Sequence, residues 1–201
     1  NHKWRPGHEI IYMNYTDRLL AAERYQCDPH HIHVVYNTIE SWTREPQQAA
    51  IDIASASQWD QCDVRILYPF SLPRYREKGV MKVIYLADKL RSMGIKAGVL
   101  LVTAHANGLL AEKMMRGFES EPFVKTTTML DPDKYTQGVP NDVVRDLWQM
   151  ANCFVFPSIS ENNSLVLQEA MASGCFCVLN HDFLPIREFG GPEQLYMGFG
   201  S

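Results

Sequence analysis

Short apolar runs alternate with longer stretches of helical spacing along this chain of 201 residues. Positions 10–13, 32–36, 64–68, 98–103, 123–130, 153–156 and 175–179 read as strands, rich in aliphatic and aromatic residues and bounded by turn formers. Between them, helical periodicity covers 17–26, with Thr16 as a possible cap, and 45–57, opened by Glu45-Pro46. It returns at 77–93, stopped by Gly94, at 109–118, at 141–150 with Asn141 as the cap, and at 164–173, closed by Gly174. Positions 195–197 begin a further short strand. Apolar strands alternating with helices predict an α/β fold: a Rossmann-like parallel sheet with helices on both faces. The βα crossovers should be right-handed. Ligands of such sheets bind outside the carboxyl ends of the strands, which directs attention to loops 69–78 and 157–163.

The second of those loops holds the densest chemistry. Strand 153–156 gives way to Pro157-Ser158-Ile159-Ser160-Glu161-Asn162-Asn163-Ser164 and then to a helix carrying Glu169. One carboxylate stands beside a helix N-terminus and the other more than a turn along. The free N–H groups between them form a ready anion site. A ligand with phosphate in its middle and hydroxyls at both ends suits that layout, and a sugar nucleotide is such a ligand. A plainer reading stays open: Ser158-x-x-Glu161 fits a capping box, and Glu169 fits a solvated helix position.

Composition narrows the class. Hydrophobic residues make up 46% and charged residues 21%, ordinary for a globular protein, and the net charge of −4 does not point to nucleic acid or an anionic membrane. No run reaches the roughly 20 apolar residues a bilayer span needs. Asn1 in place of an initiator Met, with no secretory signal, reads as an excised or processed chain. Five cysteines without a Cys-x-x-Cys pair predict a reducing, cytoplasmic setting and no disulfide framework. His30, His31 and His33 raise a metal site, but no carboxylate or cysteine pattern supports one, so a structural role is favoured.

Four segments together resemble a known family. They are Glu161-x7-Glu169 within the stretch from Pro157 to Gly174, Val34-Val35-Tyr36-Asn37, Glu77-Lys78-Gly79-Val80, and the run from Leu147 through Pro157-Ser158. In this order the chain resembles the C-terminal, donor-binding half of retaining two-Rossmann-domain glycosyltransferases, the group-1 type (glycosyltransferase family 4). The resemblance implies a nucleotide-sugar donor domain over 34–201, truncated at its end. Residues 1–33 would then close the acceptor-side domain or form the interdomain segment. It implies an enzyme of carbohydrate biosynthesis, a retaining hexosyltransferase incomplete as a fragment. Its partners would be a nucleoside-diphosphate sugar, an acceptor glycan, lipid or protein, and the N-terminal acceptor domain of the same protein. The whole enzyme would be cytoplasmic, docking on membranes through its acceptor half.

The resemblance also implies roles for individual residues. Glu169 would accept hydrogen bonds from the ribose hydroxyls, and Glu161 would hold hydroxyls of the transferred sugar. Asn163, Ser164 and Leu165 would offer backbone N–H groups to the diphosphate. Lys78 and Arg74 would neutralise the departing nucleoside diphosphate, so no metal and no cofactor is expected. His105 would line the donor pocket, and the backbone of Met129 and Leu130 would meet the base. The sequence departs from the family pattern where Pro73 takes the usual arginine position, with Arg74 next to it, and where Asn163-Ser164 replaces a glycine-containing turn. A sugar-nucleotide epimerase, a phosphorylase, or a non-catalytic nucleotide-sugar-binding scaffold of the same fold are the competing readings.

Overall fold

The computed structural model describes residues 4–40, 42–104, 116–117, 124–126, 138–161 and 163–199. A small unit comes first. Strands β1 (Ile10–Tyr12) and β2 (Ile32–Val34) pair in parallel, with α1 (Arg18–Tyr25) between them in sequence. Ala21, Ala22 and Ile32 form its own small core. Thr16 does not cap α1, as its position suggested. The Asp17 N–H bonds Asn14 Oδ1 at 2.7 Å instead, and the Thr16 hydroxyl is engaged elsewhere.

Six parallel strands build the large sheet: β3 (Val64–Ser71), β4 (Ala97–Ala104), β5 (Val124–Thr126), β6 (Cys153–Phe156), β7 (Phe176–Asn180) and β8 (Leu195–Met197). Their order in space is β5-β4-β3-β6-β7-β8. Counted from β3 this is 3-2-1-4-5-6, the doubly wound order, whose switch point falls between β3 and β6. All four residues of β6 are buried. Successive strand residues point to opposite faces, so both faces are covered there.

Helical spacing explains how the helices bury their inner faces. In α3 (Val80–Ser92) the buried residues are Val80, Val83, Ile84 and Ala87, and in α4 (Asn141–Met150) they are Val143, Asp146, Leu147 and Trp148. Helices α2 (Gln48–Ala56), α5 (Leu165–Ala172) and α6 (Leu184–Gly190) complete the set. Helix α2 begins at Gln48, not at the expected Pro46. The backbone and side-chain amides of Gln47 both donate to Asp146, at 3.0 and 2.8 Å, and Arg44 adds a two-nitrogen grip on the same carboxylate. Asp146 is fully buried, so residues 44–47 are strapped to α4 before α2 can wind.

Strand β3 runs three residues beyond the expected 64–68, through Pro69. It pairs with β4 along its whole length but with β6 only at Ile66–Cys153. Pro69, which has no N–H to give a ladder, lies in the stretch with one strand neighbour. At the other end Asn152 stitches β3 to β6: its Oδ1 accepts the Arg65 N–H at 2.8 Å and its Nδ2 donates to the Asp63 carbonyl at 2.8 Å. The two strands are thus fastened at their amino ends, and their carboxyl ends carry the two loops singled out above. Most of the expected helix 109–118 and of strand 123–130 lies outside the described residues.

Candidate functional site

The loops after β3 and β6 are fastened to each other backbone to backbone. Residues 75–79 form a turn in which Lys78 N–H bonds the Arg74 carbonyl at 3.0 Å and Gly79 N–H bonds the Arg76 carbonyl at 3.0 Å. Gly79 has φ +66°, a left-handed conformation, and a Cβ there would stand 2.7 Å from Pro157 Cγ. Only glycine meets both demands at once. Helix α3 therefore starts at Val80 rather than at 77, and Lys78 sits in the turn ahead of it, not in a first helical turn. The Ile159 N–H reaches the Glu77 carbonyl at 3.3 Å, and the buried Tyr68 hydroxyl donates to the Lys78 carbonyl. From the far side Asn180 Nδ2 holds the Ser158 carbonyl at 3.2 Å.

Side chains then converge across the joined loops. Lys78 Nζ pairs with Glu161 Oε1, and both side chains are 13% exposed. Arg74 donates from Nε to Glu77 at 2.9 Å and from Nη2 to the carbonyl and hydroxyl oxygens of Ser160, each at 3.3 Å. Arg74, Ser160, Glu161, Asn163 and Met13 line a cleft of about 240 Å³. Burial, and after it the Arg74 charge, lower the Lys78 ammonium to about 8, with Glu77 pulling it back up. Phe156 lies beneath that ammonium, its ring centre 5.8 Å away.

Helix α5 enters this site amino end first. Ser164 is its N-cap, accepting the Leu167 N–H on Oγ at 3.2 Å, and Leu165 is the exposed first residue. The capping-box alternative is thereby removed. The cap is Ser164, while Ser158 makes only long contacts to Ser160, and Glu161 precedes the helix and faces Lys78. One turn into α5, Glu169 is half-buried and accepts the Trp148 indole N–H at 3.3 Å. Burial raises its carboxyl above the ordinary range, and the Trp148 bond and the Arg145 charge offset part of that.

Of the residues singled out in the sequence, Arg74, Glu161 and Asn163 line one cleft, Lys78 joins them through its pair with Glu161, and Ser164 and Leu165 form the helix end beside it. Glu169 stands apart, against α4. His105, Met129 and Leu130 lie outside the described residues. The histidine cluster is elsewhere: His31 Nδ1 and His33 Nε2 hold the two oxygens of Glu9 at 3.0 and 2.8 Å. Among the described residues no group of three His, Cys, Asp or Glu side chains is placed to hold a metal ion.

Two contributors had no sequence signal. Met13 reaches the cleft from the small unit. Glu188 holds that unit in place: its Oε1 accepts the Tyr15 N–H at 2.7 Å and the Tyr36 hydroxyl at 2.6 Å. Its Oε2 accepts the Thr16 N–H at 2.8 Å and the Thr16 hydroxyl at 2.6 Å. A larger cavity of about 500 Å³ opens beside Trp59, Cys62 and Lys96. It lies at the amino ends of β3 and β4, the end of the sheet that doubly wound folds do not use for ligands.

Comparison with known proteins bears on the fold and on one segment of the chain. The sequence model of the family described as glycosyl transferases group 1 matches residues 129–193, which take in α4, β6 and α5. Curated protein sequences gave no match. Among solved structures, WaaG, a glycosyltransferase involved in lipopolysaccharide biosynthesis, superposes with a TM-score of 0.62 at 14% identity, over 90% of this chain and 46% of that one. Sucrose-phosphate synthase from Thermosynechococcus elongatus gives 0.63 at 16%, over 95% and 45%. A variant of S. aureus TarM in complex with Fondaparinux, alpha-GlcNAc-glycerol and UDP gives 0.64 at 12%, over 94% and 34%. The chain spans less than half the length of each of these proteins. At such identities the structures establish the shared fold, and the family match adds the chemistry-bearing segment. The chain is similar, by its fold and by residues 129–193, to the group 1 glycosyl transferases.

Proposed function

We propose that this chain is the half of a glycosyltransferase that binds a nucleoside-diphosphate sugar and supports retaining, metal-independent transfer of a hexosyl group to an acceptor. One observation carries the reading: Arg74, Glu161 and Asn163 line a single cleft at the switch point of the sheet, with Lys78 paired to Glu161, beside the amino end of α5. Two cations and the α5 dipole suit a diphosphate, and they supply positive charge where negative charge grows as the nucleotide departs. In the free protein Glu161 holds Lys78. On binding, the ammonium turns to phosphate oxygens, and the freed carboxylate accepts hydrogen bonds from hydroxyls of the sugar. Glu169, half-buried one turn along α5, is assigned to the ribose hydroxyls. The acceptor is bound by a further N-terminal domain, of which residues 1–33 are the last part or the segment that joins it to this one. The full protein works in the cytoplasm and touches membranes through that domain. Within the described residues no helix is long and apolar enough to cross one.

The test is calorimetric titration with UDP, GDP and ADP, with and without Mg²⁺, beside Lys78→Ala and Glu169→Ala. The expected result is saturable binding of one nucleotide, indifferent to Mg²⁺ and weakened about tenfold or more in either variant. Binding that needs Mg²⁺ would contradict the metal-independent part, and equal binding by both variants would contradict the site. Retention is read from the anomeric configuration of the product formed by the full-length protein.

A further inference from the structure

Asn163 differs from the rest of the cleft in the state of its side chain. Its Oδ1 accepts from Gln168 Nε2, five residues along and one turn into α5. Its Nδ2 is buried and has no hydrogen-bond partner. A buried amide N–H without an acceptor is a standing cost in the free protein, and a ligand that brings an acceptor relieves it. While Gln168 donates to the oxygen, the amide has only N–H left to offer. The group that completes it is therefore an acceptor. Arg74 and Lys78 at the same cleft, with the α5 amino end beside them, favour an anionic one. Their carboxylate partners Glu77 and Glu161 leave the free cleft near neutral, so an N–H donor adds selectivity that net charge does not.

We propose that the Asn163 side-chain amide, oriented by Gln168, donates to a phosphate oxygen of the bound nucleotide sugar and so discriminates the diphosphate from uncharged ligands. Asn163 is the contact residue and Gln168 the positioning residue. The inference rests on the donor-site reading above. It also couples the two amides, because Asn163 presents N–H only while Gln168 donates to its oxygen, and a Gln168 turned to accept would invert both.

A polarity inversion tests this. In Gln168→Glu the new carboxylate only accepts, so Asn163 turns its NH2 toward position 168 and presents Oδ1 to the ligand. The probe is whichever of UDP, GDP or ADP binds the unaltered chain, titrated calorimetrically against the chain, Gln168→Glu, Asn163→Ala and the double variant. Circular dichroism establishes that each is folded. Gln168→Glu is expected to weaken binding tenfold or more when Asn163 is present and less than threefold when it is Ala. The NH2 resonances of Asn163, assigned by their loss in Asn163→Ala, are expected to shift when the unaltered chain is saturated with nucleotide. Equal losses from Gln168→Glu in both backgrounds would show mere charge repulsion and overturn the proposal while leaving the donor site standing. Unmoved Asn163 NH2 signals in the saturated chain would overturn it in the same way. A folded chain that binds none of the three nucleotides would sink the donor-site reading, and this proposal with it.

Discussion

Replacing Glu188 by Gln isolates what one carboxylate contributes to holding the small unit against the large sheet. The carboxylate accepts four hydrogen bonds, two on each oxygen, from the Tyr15 and Thr16 N–H groups and the Thr16 and Tyr36 hydroxyls. Gln keeps the shape but offers one oxygen and one NH2. A hydroxyl can rotate and accept from NH2, whereas a backbone N–H cannot. In either orientation, therefore, the N–H of Tyr15 or of Thr16 faces another donor. Losing a charged acceptor typically costs about 1.5–3 kcal/mol, and partial exposure of this site argues for the lower part, about 2 kcal/mol. At about 1.4 kcal/mol per factor of ten, the open state of the latch should become roughly 30-fold more populated. Amide hydrogen exchange of Tyr15 and Thr16 at neutral pH reads this directly. A change in their protection of less than threefold would refute the account.

The same residue predicts a pH dependence. Burial pushes the Glu188 carboxyl up, but the bonds from Thr16, Tyr36 and Tyr15 outweigh it and hold the group below the ordinary range. A depressed carboxyl binds fewer protons folded than unfolded. Its contribution is therefore complete above the unfolded value near about 4.3 and vanishes as pH falls through the folded one. The difference between the two proteins should persist at pH 6 and shrink steadily as pH falls below about 4.3.

Three further outcomes are expected. Gly79→Ala forces a Cβ to 2.7 Å from Pro157 Cγ at positive φ, costing about 2–3 kcal/mol, and calorimetry should show a melting point several degrees lower. Asp146→Ala leaves Arg44 and the Gln47 amides without their acceptor, and urea titration should record a loss of about 3 kcal/mol. Nucleoside-diphosphate binding keeps Lys78 charged, so affinity should be level below pH 8 and fall by up to about tenfold per unit above it; a level profile to pH 9.5 would contradict the phosphate role.

What was legible in the sequence was local. Strand β6, the loop after it and α5 follow from apolar runs, a Ser at the cap and a Gly at the stop, so Glu161 and Asn163 fell at the carboxyl edge of the sheet, as Lys78 did in the loop after β3. Errors arose where tertiary contacts override local signals. Pro69 reads as a breaker, yet β3 runs through it because β4 alone flanks that stretch. Helix α6 was not anticipated: seven residues long, with Pro185 near its start and no side-chain cap, it owes its existence to the burial of Pro185, Ile186 and Gly190. Glu188 rides on that helix, and its partners lie 152 to 173 positions away in sequence, a distance at which no periodicity speaks. Nor did any pattern reveal that Gln168 would donate to the Asn163 amide.

The strap at Asp146 and the latch at Glu188 bracket residues 37–41. Tyr36 is tied to Glu188, and Trp42 Nε1 donates to the Arg145 carbonyl at 3.1 Å. The tether between those anchors, fully drawn out, reaches on the order of 20 Å. When the latch opens, the small unit is therefore still leashed within about its own diameter of the cleft, at an effective concentration in the millimolar range. Release and recapture are then intramolecular and independent of protein concentration. Because Met13 lines the cleft from the small unit, an opened latch removes that wall, and weakening Glu188 is expected to make this more frequent without letting the two pieces part.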